Sequence, residues 1–97
     1  MKVVFTGAVV DDLGGIAAYR AANYPSSAAT VERRLRIVIA RIARWPESAQ
    51  RVVERPGVRV VPLVRYPYKV FYRITEDVVE ILHIHHTSRQ APWEKTG

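Results

Sequence analysis

Apolar and polar positions change their spacing several times along this chain, and each change marks an element. "KVVFT", Lys2 to Thr6, is short and β-branched and reads as an opening strand. From Val9 the spacing turns helical. Leu13, Ile16, Ala17 and Tyr19 or Arg20 follow Asp11 and Asp12, whose carboxylates in a first turn would suit the positive end of the helix dipole. Gly14 and Gly15 weaken this helix. "NYPSS" breaks it, with Pro25 expected as the stop and Ser26 or Ser27 as the next N-cap. A second helix, about Ala28 to Arg44, is the clearest element. Val31, Leu35, Val38, Ile39 and Ile42 form one buried stripe, while Arg33, Arg34, Arg41 and Arg44 share the opposite side with Arg36 at its edge. Pro46 ends it.

"ESAQRVVERPG" reads as a connector with a turn at Pro56-Gly57. Beyond Gly57 the period shortens to the two residues that belong to strands. Val58 to Val64 alternates Arg59, Val61 and Leu63 against Val58, Val60 and Val64, and Pro62 demands an edge or a bulge. Tyr68 to Thr75 and Val78 to His86 are partners across a two-residue turn at Glu76-Asp77. Arg73 then opposes Glu80, a favourable pair across a ladder, and an uninterrupted register sets Phe71 against Leu82 and Lys69 against Ile84. On the other side it sets Ile74, Tyr72, Val70 and Tyr68 against Val79, Ile81, His83 and His85. Glu-Asp is not the Asn-Gly that such turns prefer, and a slip by one residue would exchange every face. The expected architecture is a single α+β domain over residues 1–97. It has an N-terminal strand, two antiparallel helices, and a three-stranded antiparallel meander packed on them.

Composition narrows the class. Hydrophobic and charged fractions of 48% and 25% are ordinary for a globular domain. No apolar run approaches the ~20 residues that span a bilayer, so no membrane partner is expected. The first residues reach two aspartates before they resemble a signal peptide's apolar core, which makes the cytoplasm the expected compartment. Without cysteine there is no disulfide framework and no thiolate metal site. Charge says more. Fifteen Lys and Arg, most of them arginine, against nine Asp and Glu give +6 and favour an acidic partner, nucleic acid or protein.

Candidate chemistry concentrates in "HIHHTSRQAPW", His83 to Trp93, which holds all three histidines. On the uninterrupted register His83 and His85 leave the apolar face together and His86 points away. A His-x-His pair on a strand can chelate a metal, because alternate residues share a side. Zinc needs at least one more ligand, and Asp11, Asp12 or Glu32 could supply it only if the fold carried one there. The expectation is therefore hydrogen-bonded, half-buried histidines, with neither metal nor cofactor. Arg65, Tyr68, Lys69, His86 and Arg89 could converge at one end of the hairpin. A histidine or tyrosine beside cations is equipment for RNA cleavage, or for base stacking and phosphate contact without chemistry.

The order "RVVPL", "YPYKVFYRI", "DVVEILHIHHTSRQAPW" after a strand and two helices resembles the RelE/ParE superfamily of bacterial toxins from type II toxin–antitoxin modules. The resemblance covers nearly the whole chain, and its most specific parts are "PYKVFYR" and "ILHIHHTSR". It implies one of two activities. RelE-like members cleave messenger RNA in the ribosome with basic residues on the sheet, an arginine after the last strand and commonly a C-terminal tyrosine. ParE-like members inhibit DNA gyrase and lack that full set. In this chain Lys69 and Arg89 match two of the basic positions. The lysine pair would fall near Val60 and Pro62 and is absent, and Lys95 lies where the tyrosine would be. His86 to Arg89 followed by Trp93 resembles the ParE side. The resemblance thus implies a ParE-like toxin that binds gyrase through Arg65, Tyr68, Lys69, Arg89 and Trp93. The alternative is a ribosome-dependent endoribonuclease with Lys69, Arg89 and His86 as catalytic residues. A cognate antitoxin is implied as partner, covering Arg33, Arg34, Arg41 and Arg44, with promoter DNA met only through that complex.

Overall fold

The computed structural model describes residues 1–87, so Arg89, Trp93 and Lys95 lie outside the described residues. Its elements run β1 (Lys2–Phe5), α1 (Gly7–Asn23), α2 (Pro25–Arg44), β2 (Gln50–Arg51), β3 (Val58–Pro62), β4 (Tyr68–Thr75) and β5 (Val78–His86). The strands form one five-stranded sheet in the order β1-β5-β4-β3-β2. The expected α+β class and element order hold, with two additions. β1 joins the sheet parallel to β5, with Lys2 against Val78 and Phe5 against Ile81. The expected connector contributes the two-residue strand β2, paired antiparallel to β3. Two exposed residues have no alternation to read, so the pattern carries no sign of it. Pro62 closes β3 beyond the residues that β2 pairs, where its missing N–H breaks no ladder bond on that side.

Both helix starts differ from expectation for identifiable reasons. Thr6 caps α1 by accepting the Val9 N–H at 3.3 Å, so the helix begins a turn earlier and Asp11 and Asp12 fall outside its first turn. Pro25 does not stop anything. It opens α2, where a residue without an N–H and with φ already set is well placed. Only Tyr24 separates the helices, and its N–H bonds back to Arg20 O at 2.8 Å.

The core lies between the helices and one face of the sheet, here the inner face. Tyr68, Val70, Tyr72, Val79, Ile81 and Ile84 meet Val9 of α1 and Val31, Leu35 and Ile42 of α2. Each such side chain contributes about 1.5–3 kcal/mol by leaving water. The exposed Glu32–Arg36 pair on α2, at 2.6 Å, contributes roughly 0.3–0.5 kcal/mol. The apolar stripe therefore holds α2 in place, and the ion pair only decorates it.

The hairpin register decides where the functional side chains point. Near the turn it follows expectation, with Thr75 against Val78, Arg73 against Glu80 and Tyr72 against Ile81. Then β5 carries one extra residue, Leu82, and pairing resumes as Phe71 with His83, Val70 with Ile84, Lys69 with His85 and Tyr68 with His86. This bulge corrects the uninterrupted register. It turns His83 and His85 to the outer face and His86 to the inner one, the reverse of the expected assignment. Leu82 joins Phe71 and Val58 in a small outer cluster.

Candidate functional site at the histidine end of the sheet

The bulge is held where β1 runs out. β1 ends at Phe5, and the next residue, Thr6, sets its hydroxyl 2.9 Å from Ile81 O and 3.2 Å from Leu82 O, so one proton serves the carbonyls of the bulge. One turn into α1, Asp12 accepts the Ile84 N–H through Oδ2 at 3.0 Å. The start of α1 thus completes the edge of β5 that β1 leaves open. A buried strand N–H without such an acceptor would cost about 1–3 kcal/mol.

On the inner face Tyr68 is buried and meets His86 edge-on, with ring centroids 5.7 Å apart. A cleft of about 410 Å³ separates this pair from Asp11, Gly15 and Tyr19 of α1. On the outer face Lys69 holds its ammonium 5.3 Å from the centre of the Phe71 ring. His85 lies against the same ring at 5.9 Å and against His83 at 5.0 Å. Arg73 and the Thr75 hydroxyl both engage Glu80, at 2.9 and 2.6 Å. These bonds, the Thr75 hydroxyl first and the Arg73 guanidinium second, hold the Glu80 carboxyl below its usual range.

Of the expected site residues, Tyr68, Lys69 and His86 are brought to one end of the sheet but divided between its faces, while Arg89 and Trp93 lie outside the described residues. Tyr68 and His86 face the helices, and Lys69 faces away with His83 and His85. Arg65 sits apart in the exposed β3–β4 loop with φ 78°, a left-handed conformation that few arginines adopt. The helix arginines stand as expected, with Arg33, Arg41 and Arg44 exposed, Arg34 partly so, and Arg44 stacked on Trp45 at 4.7 Å. On the side of α2 away from them a cleft of about 560 Å³ opens between the helices, lined by Phe5, Leu13, Ile16, Leu35 and Ile39 together with Arg20, Glu32 and Arg36.

Two residues of the site make contacts that the sequence does not announce, although Asp12 is among the acids that could supply a third ligand to the histidine pair. Asp12 serves β5 from a helix, a contact no local pattern announces. Arg20 is buried at the end of α1, donating to Ser27 Oγ at 2.7 Å and lying 4.6 Å from the centre of the Tyr24 ring and 5.8 Å from that of Tyr66. It ties the helical hairpin to the loop that carries Arg65.

Residues 3–91 match the family model described as the ParE toxin of the type II toxin–antitoxin system parDE. The chain belongs to the ParE toxin family. The fold agrees with solved structures. A chain of the chromosomal ParDE toxin–antitoxin system from P. aeruginosa superposes with a TM-score of 0.78 at 24% identity, over 89% of this chain and 95% of that one. The isolated RelE toxin of E. coli superposes with a TM-score of 0.66 at 15% identity, over 92% and 86%. At these identities the superpositions establish the shared fold. A search of curated protein sequences gave no match. Among the described residues no helix is long and apolar enough to cross a membrane.

Proposed function

We propose that this chain is the toxin of a type II module, that it arrests growth in the cytoplasm by binding DNA gyrase, and that a cognate antitoxin neutralises it. Membership of the ParE family supplies the toxin role. The observation that favours a binding mechanism over RNA cleavage is the division of the hairpin residues between two faces. General acid–base cleavage needs the proton-transferring group and the charge-stabilising cation on the same phosphodiester. Here Lys69 lies across the sheet from Tyr68 and His86. The histidines on its own face are engaged elsewhere, His83 against Asp12 and His85 buried against Phe71, and β3 presents Val58 and Val60 there where further cations would help.

Inhibition of gyrase supercoiling by purified, antitoxin-free protein is the test. Supercoiling should fall in the presence of the wild-type chain and recover with Arg89→Ala. Untouched supercoiling, together with codon-specific cuts in ribosome-bound message by primer extension, would replace this reading with the endoribonuclease one.

The antitoxin site we assign to the cleft between α1 and α2 together with the arginine face on the other side of α2, so that the antitoxin wraps this helix. An amphipathic acidic segment would lay apolar side chains on Leu13, Ile16, Leu35 and Ile39 and carboxylates on Arg33, Arg34, Arg41 and Arg44. Promoter DNA would be met only by the complex.

A further inference from the structure

The His-x-His pair needs a third ligand before it can hold a metal, and the fold supplies one. Asp12, His83 and His85 come together at the edge of β5 just past the end of β1, each offering one ligand atom, all within 4.8 Å of one another. We propose that these three residues form a zinc site that clamps α1 to β5. Such a site is independent of whether gyrase is the target.

Three observations carry it. First, the spacing fits. Zinc bonds of 2.0–2.2 Å to histidine and carboxylate place ligand atoms of a tetrahedron roughly 3.3 Å apart. His83 Nδ1 lies 3.5 Å from Asp12 Oδ2, so that edge of the tetrahedron needs a shift of only a few tenths of an ångström. The other ligand separations, up to 4.8 Å, have to shorten by up to roughly 1.5 Å as the ion is taken up. Second, His83 Nδ1 is buried and makes no hydrogen bond, and 3.5 Å is too long for one to the carboxylate it faces. A buried ring nitrogen that faces a carboxylate with no hydrogen bond between them is costly alone and well used if a cation sits between them. Third, two of the ligands are supported by contacts of their own. Asp12 is fixed by the Ile84 N–H, and His85 is buried against Phe71, the kind of support that holds metal ligands in place. Lys69, paired across the ladder with His85, is the nearby opposing charge, and its ammonium is drawn over Phe71. Two imidazoles and a carboxylate suit zinc over the harder calcium and magnesium, and a water completes the fourth position.

Titration of Zn²⁺ into the tag-free, chelator-treated full chain by calorimetry should give one equivalent per chain with a dissociation constant of about 1 μM or tighter. His83→Gln and His85→Gln should each weaken it at least tenfold. Asp12→Asn, which keeps an acceptor for the Ile84 N–H, should weaken it several-fold, and His86→Gln should leave it unchanged. Because the histidine variants risk misfolding, the wild-type chain is also followed by NMR. The His83 and His85 ring signals should shift and saturate at one equivalent while those of His86 stay. Absence of saturable binding would overturn the site, as would binding that survives both His83→Gln and His85→Gln. Binding unchanged in Asp12→Asn would overturn the three-ligand assignment.

Discussion

Tyr72 shows how one side chain links the sheet to the segment beyond α2. It is fully buried on the inner face, and its hydroxyl donates to Pro46 O at 2.5 Å. Tyr72→Phe keeps the packing and leaves that carbonyl short of a donor, so it should cost about 1 kcal/mol in urea denaturation at pH 7. Burial pushes the phenol above its ordinary range, against the opposing pull of the Arg59 guanidinium. The folded phenol thus ionises later than the unfolded one. Its contribution is whole below about pH 10, the unfolded value, and is lost as pH rises through the folded value. Wild-type stability should therefore fall on the alkaline side more steeply than that of Tyr72→Phe, and parallel curves would refute the assignment. Glu80 has the opposite sign. Its lowered pKa gives a contribution present above the usual carboxylate range and lost on acidification. Arg65 tests whether strain marks function. With φ at 78° in an exposed loop, Arg65→Gly should stabilise the fold by roughly 0.5–1 kcal/mol and, if the arginine contacts the target, abolish growth arrest. A variant that is both more stable and fully toxic would remove Arg65 from the target surface.

At the scale of elements, the legible parts were those with a long period and a local cause. The α2 stripe, the strand alternation and the Arg73–Glu80 pair all announced themselves, and the turn-proximal half of the hairpin followed from them. The bulge did not, because nothing within "EILHIHH" distinguishes an extra residue from a continuing alternation. Its cause lies in Thr6 and Asp12, over seventy positions away. The candidate site inherited the error. Its residue types were readable from "HIHHTSR", but which of them share a face was fixed by a long-range contact. The turn offers a clean test at this scale. Glu76 takes φ 53°, a conformation that asparagine tolerates better. Glu76→Asn should raise stability by about 0.5–1 kcal/mol without moving the register, seen as a higher urea midpoint with unchanged amide shifts at Arg73 and Glu80. A loss of stability would mean that Glu76 contributes more through its charge than it loses through its backbone.

For the whole molecule the governing quantity is the net charge of +6 and its concentration on one face of α2. Charge of this kind steers encounter and is screened within about 10 Å at 0.1 M salt, whereas an apolar cleft sets how long a partner stays. The two contributions to antitoxin binding should therefore separate kinetically. Raising ionic strength from about 0.05 to 0.5 M should slow association with an acidic antitoxin tenfold or more and change dissociation little. The double variant Arg33→Glu/Arg41→Glu should have the same signature at low salt, since both side chains are exposed and carry no part of the core. Ile39→Ala, in the cleft between the helices, should instead speed dissociation by roughly tenfold at unchanged association rate, the loss of about 1.4 kcal/mol. Surface plasmon resonance with immobilised antitoxin resolves both rates. Association indifferent to salt and to the charge reversals would place the antitoxin elsewhere and leave the arginine face of α2 to the target or to water.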